Sequence, residues 1–247
     1  MDDSILGKAC IDLSALICTH WDHSQGRFVR GLNFVSLLYQ AGALVLPIAV
    51  ELIAKTEAVV DAKTQKTKAK SKYTKDEYLR AMLRVALPGR PQQQVAYRYL
   101  LADSWYASAE KLNAVLDLGH HFVVALESSR TVARSGAARA QGQFQALDAL
   151  AFPDEQPRRV FLRAVEPAVL VSRQIFTNKD GSQGVLYLVS SDTSLNQAQM
   201  TAIYQRRWKV EEYHKALDRM PRWASHPPKR PIPRPIISLP PFWPTPS

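Results

Sequence analysis

The stretch from Gly31 to Ala54 leaves the chain the fewest choices, because Asn33, Gln40 and Glu51 are its only strongly polar side chains. A run this long and apolar is either a membrane-spanning helix or a pair of strands. Gln40-Ala41-Gly42 interrupts it, and Pro47 together with the Val and Ile content disfavours a helix. The reading is therefore two strands, roughly Gly31 to Leu38 and Ala43 to Leu52, paired as an antiparallel hairpin.

Helical and strand patterns alternate after it. Thr74-Lys75-Asp76-Glu77 is a Thr-x-x-Glu capping box opening a helix to about Leu87, where Pro88-Gly89 stops it. Tyr97 to Ala102 is an apolar run ending at Asp103. A carboxylate at a strand tip points into the cleft above a sheet, although Asp103 also suits a turn or a helix N-cap. A helix from Ala107 to Leu118, closed by Gly119, and a strand from His121 to Glu127 follow. From Ser128 to Ser190 the pattern turns to short β-like runs, Arg159 to Val165, Ala168 to Phe176 and Gly184 to Val189. Asn178-Lys179-Asp180-Gly181 forms the turn between the last two. Ser194-x-x-Gln197 then caps a late helix.

Charge narrows the partners. The chain carries 32 Lys and Arg against 22 Asp and Glu, a net charge of +10, which favours an anionic partner and nucleic acid first. Lys55 to Lys72 reads as a mobile surface connection whose lysines could add salt-sensitive contacts to a DNA backbone. Thr19-His20-Trp21-Asp22-His23-Ser24 groups two His and an Asp, but the spacing fits no common zinc pattern and reads as a polar loop. Cys10 and Cys18 make neither a zinc site nor a disulfide framework and read as small core or edge residues. With no basic-then-apolar leader, the expected location is the cytoplasm, with no membrane partner.

The late helix carries the chemistry. In YQRRWKVEEYHK, from Tyr204 to Lys215, a regular helix sets Tyr204, Arg207, Glu211 and Lys215 in one row, with Ile203, Val210 and Leu217 to one side. Taken alone, the row is either a solvated face of paired charges or a carboxylate that holds a hard divalent cation beside cations that hold phosphate. The spacing Tyr-x2-Arg-x3-Glu, together with Asp2-Asp3-Ser4 and the phrase LADSWYAS around Asp103, resembles DDE transposases of the insertion-sequence-four family.

That resemblance implies an α/β fold: an RNase H-like mixed sheet flanked by helices, with a small β-rich insertion before the catalytic Glu helix. Its parts would be residues 1–127 and 191–217 for the core and 128–190 for the insertion. It implies Asp3, with Asp2 second, Asp103 and Glu211 as catalytic and metal-binding residues for two Mg²⁺ or Mn²⁺ ions. Tyr204, Arg207 and Lys215 would contact DNA, and Arg130, Arg134 and Arg139 either help clamp it or form an ordinary basic loop. The implied partners are transposon-end and target DNA, with a homodimer on DNA as a possible arrangement, in a bacterial, nucleoid-associated setting. The implied reaction is metal-dependent cleavage of DNA followed by strand transfer. A noncatalytic DNA-binding protein that interferes with an intact transposase is the alternative.

Two departures temper this. The chain opens inside the strand that bears the first acid, so a truncated N-terminus is expected. Residues 218–247 hold ten of the sixteen prolines and no glycine, and Asp218 stands where the family signature has Lys. A suitable back-translation of this tail, read in the neighbouring frame, gives family-like segments. The expectation is a one-base slip after Leu217 and a disordered, out-of-frame tail on a disabled enzyme.

Overall fold

A computed structural model describes residues 1–7, 12–22, 25–60, 62, 65–86, 96–153 and 156–219. The expected end of the first helix at Leu87 to Gly89, Cys10, and the proline-rich tail beyond Arg219 lie outside the described residues.

The apolar run of Gly31 to Ala54 folds as strands. Strand β1 (Asp2–Gly7), β2 (Ile17–Asp22), β3 (Arg27–Ala41) and β4 (Leu44–Leu52) form one antiparallel sheet, with β3 at its centre. β3 is longer than its apolar part because Arg27 to Gly31 also pair with β2 while Gly31 to Ser36 pair with β1. A side chain at Gly31 could not be accommodated: a Cβ there would lie 2.2 Å from the Leu6 carbonyl oxygen.

Two segments expected to be irregular are strands. Thr19 to Asp22 belongs to β2, where His20 is buried and Cys18 Sγ lies 3.3 Å from its Nε2. The main-chain pairing offered by the overhang of β3 outweighs the polar composition that suggested a loop. Within Lys55 to Lys72, β5 (Glu57–Val60) and β6 (Thr67–Lys70) pair as a small hairpin, every residue of which is exposed. It is held by main-chain bonds and buries no face, so hydrophobic periodicity could not announce it.

Helix α1 (Lys75–Ala86) starts at the expected box: Thr74 N donates to Glu77 Oε2 at 2.7 Å and Glu77 N to Thr74 Oγ1 at 3.2 Å. Next come β7 (Tyr99–Ala102), a single 3-10 turn (Ser104–Tyr106), α2 (Ala109–Asp117) and β8 (His121–Leu126), which lies parallel to β7. From β8 a second sheet continues through β9 (Thr131–Ala133), β10 (Gln145–Ala146), β11 (Arg158–Leu162), β12 (Val169–Thr177) and β13 (Gln183–Ser190), with α3 (Gly136–Ala140) between β9 and β10. Its order is β10-β9-β11-β12-β13-β8-β7.

The two sheets meet where β1 begins: the Met1 amine donates to the Leu101 carbonyl on β7 at 2.9 Å. One hydrophobic core runs under the join, taking Val35 and Leu37 from β3, Leu79 and Met82 from α1, Leu112 from α2 and Val124 from β8. Helix α4 (Gln197–Gln205) packs on β8 and β13, and α5 (Trp208–Arg219) packs on β1. The result is the expected α/β architecture, a mixed sheet flanked by helices.

The late helix departs from expectation in two ways. Its cap is Asn196 with Gln199 rather than Ser194 with Gln197. Ser194 instead donates from its hydroxyl to Asp192 Oδ1 at 2.6 Å. Nor is it one helix. Between α4 and α5 the bonds tighten to three-residue spacing, with Arg207 N on Tyr204 O at 2.9 Å and Val210 N on Arg207 O at 3.1 Å. Each such residue turns the chain about 20° further than an α-helical one, so the phase changes at Arg207.

Candidate active site

Alternation along β1 sends its two aspartates to different neighbours. Asp2 is in register with Ser36 on β3. Its Oδ2 takes a hydrogen bond from Arg207 Nη1 at 3.1 Å. The other guanidinium nitrogen of Arg207 donates to Glu211 Oε1 at 2.6 Å. Asp3 instead accepts from Lys75 of α1, and from the Tyr106 hydroxyl at 3.0 Å.

Asp103 stands between these groups. It caps the 3-10 turn after β7, accepting from Trp105 N at 3.1 Å. Burial raises its pKa; the Arg207 charge opposes that rise and the Asp3 charge adds to it. Burial, reinforced by the charge of Asp103, lifts Asp2 to about 6 against the pull of Arg207. The Tyr106 phenol is pushed up by burial and by Asp3. Thus Asp2, Asp3 and Asp103 share one electrostatic neighbourhood at the sheet join, and Glu211 enters it through Arg207.

The predicted set is therefore brought together unevenly. Asp3 and Asp103 feel one another's charge, whereas Glu211 reaches the group through an ion pair. Among the described residues no three His, Cys, Asp or Glu side chains meet closely enough to hold a metal ion. Arg207 occupies the space between Asp2 and Glu211, with its side chain 13% exposed. Tyr204 packs against the small cluster of Ala125, Leu170, Leu188 and Met200. Its ring lies under the Arg207 guanidinium at 5.7 Å. The expected row is split. The tightened turn shifts α5 in phase relative to Tyr204 on α4, while Lys215 stays one turn beyond Glu211 on α5, exposed and 5.4 Å from the Trp208 ring.

The donors still suit a hard divalent cation. The charge of Asp103 raises the Asp2 pKa and that of Asp3 raises the Asp103 pKa, a repulsion that a cation relieves, and oxygen is the preferred ligand of such ions. A cavity of about 380 Å³ opens beside the join, lined by Leu37, Tyr97, Leu101, Arg206, Arg207 and Val210 among others. No acid lines it, so the cavity adjoins the carboxylates and is not their site.

Sequence reasoning ranked Asp2 behind Asp3 and did not single out Lys75 or Tyr106. The Asp2–Arg207 pair rests on strand register and on the phase of the late helix. Neither can be read from one chain.

Comparison with known families bears on the same region. A family model described as DDE superfamily endonuclease matches residues 1–146, which include β1 and Asp103 and stop short of α5. No curated protein matches the chain.

Proposed function

Because the chain belongs to the DDE superfamily endonucleases, we propose that its carboxylates at the sheet join serve metal-dependent phosphoryl transfer on DNA, as in transposases of the insertion-sequence-four type. The observation that carries the reading is the shared electrostatic neighbourhood of Asp2, Asp3 and Asp103, with Glu211 tied to it by Arg207.

In this reading Asp3, Asp103 and Glu211 hold Mg²⁺ or Mn²⁺, with Asp2 beside them. The bound cation would supply activation of a water or 3′-hydroxyl and stabilisation of the leaving oxygen. Arg207 bridges Asp2 and Glu211 and is placed to turn its charge to a phosphate oxygen once those acids are otherwise neutralised. Tyr204 backs the guanidinium, and Lys215 offers phosphate a contact at the outer end of α5. Asp218, exposed on the same helix, puts an anion on the surface where DNA would lie, so strand transfer by this chain is expected to be weak.

The second reading, a noncatalytic DNA-binding protein, is favoured by one observation: Arg207 already occupies Asp2 and Glu211. One experiment separates the two. End-labelled duplex DNA is incubated with the purified chain and Mn²⁺, beside Asp103→Ala. Nicking that depends on Mn²⁺ and disappears in the variant supports the catalytic reading. DNA binding without nicking in either protein supports the noncatalytic one.

A further inference from the structure

Helix α5 touches the sheet through very little. Of its residues only Val210 and His214 are buried, one turn apart on a single face, with Glu211 next to the first. An apolar contact such as that of Val210 is non-directional and tolerates small rotations and slides. A hydrogen bond does not.

His214 makes one. Its Nε2 lies 2.7 Å from Ser36 Oγ, and both residues are buried, Ser36 completely. The Ser36 hydroxyl is in turn 3.5 Å from the Asp2 carbonyl, to which it donates a long hydrogen bond. The short contact is a hydrogen bond whose donor is set by the His214 tautomer, and it ties the two side chains together in either sense. The imidazole edge also meets the Phe34 ring, at 5.1 Å between centroids and 82° between planes. Ser36 and Asp2 are register partners, so this short relay runs from the Glu211-bearing helix to the main chain of the aspartate strand.

A buried polar pair of this kind adds little to stability compared with apolar residues of similar volume. What it adds is a fixed geometry. Burial lowers the His214 pKa to about 4, so the ring is neutral at ordinary pH.

We infer that His214 and Ser36 are a positioning pair, which sets the rotation and depth of α5 over β1 and so the spacing between Glu211 and the aspartates at which a divalent cation is bound. The inference rests on the proposed reading of those carboxylates as cation ligands, and its test keeps the two apart.

The test measures Mn²⁺ affinity of the purified full chain by the loss of the free-ion spin-resonance signal, and thermal stability without metal alongside it. His214→Leu and Ser36→Ala are each expected to weaken Mn²⁺ binding about tenfold or more, as supporting residues around metal ligands do. Metal-free stability should fall modestly in each single variant, which leaves one buried polar group unpaired, and less in the double variant. His214→Gln, whose amide can still hydrogen-bond to Ser36, should recover most of the affinity. The double variant should be no weaker than either single one.

Phe34→Leu keeps the polar pair and removes the ring contact, and it should bind Mn²⁺ normally. Equal weakening in Phe34→Leu would reduce the effect to general packing and overturn the proposal. So would unchanged affinity in Ser36→Ala, which removes one oxygen and decides the matter if His214→Leu fails to fold. Glu211→Gln monitors the underlying reading. If Glu211→Gln or the unaltered chain shows that Glu211 plays no part in Mn²⁺ binding, the ligand assignment fails. If Glu211→Gln abolishes binding while the pair variants retain it, only the positioning role fails.

Discussion

His20 is buried and Arg207 half-buried, and their surroundings test them in opposite ways. Burial holds His20 at about 4, with the charges of Lys55 and Lys75 pressing in the same direction. Between the ordinary histidine value of 6.5 and about 4 the unfolded chain therefore takes up a proton that the folded chain refuses. Stability should fall as pH drops through that window and level off below it. Asp2, raised to about 6, works in the opposite direction over part of the same range. The clean measurement is the difference between wild type and His20→Asn in urea unfolding across pH 4 to 7. The variant should lack a decline on the order of 1 kcal/mol. Arg207 answers to charge rather than protons. Arg207→Met strips the cation from between two carboxylates and should cost about 3 kcal/mol at neutral pH. Millimolar Mn²⁺ should restore part of that loss, read as a shift in Tm.

At the scale of elements, the hairpin, the capped α1 and the strand before Asp103 were legible because each carries a local signal: an apolar period, a Thr-x-x-Glu box, an apolar run ending in an acid. β2 and the β5–β6 pair were not, because their strands are specified by neighbours distant in sequence or by main-chain bonds alone. The break at Arg207 was equally hidden, since YQRRWKVEEYHK contains neither glycine nor proline to mark it. Once seen, these details make sharp predictions. Asn196→Ala removes the α4 capping box and should cost about 1 kcal/mol, whereas Ser194→Ala should leave the start of α4 unchanged, as judged by amide exchange at Gln199. Gly31→Ala drives a methyl into the Leu6 carbonyl and should cost about 1–3 kcal/mol by overpacking, measured as a lowered urea midpoint.

For the whole molecule, the excess of positive charge was plain from composition, but where it is dispensable is a structural fact. Among the described residues the β5–β6 hairpin buries no side chain, and it carries Lys66, Lys68 and Lys70 at exposed positions. Replacing residues 57–70 by a short Gly-Ser link should shift stability by less than about 1 kcal/mol. The salt dependence of nonspecific DNA binding should weaken, its log–log slope falling by up to about 3 to 4 units as the four lysines of that segment are lost. No helix among the described residues is long and apolar enough to cross a membrane.

The join between the sheets has a further consequence, for the route by which the chain folds. Asp2 on β1 and Arg207, just ahead of α5, lie 205 residues apart in the chain yet meet as an ion pair. Closing so long a loop costs conformational entropy that local contacts do not repay. The strand and the helix at the join should therefore dock late, once the strands between them have paired.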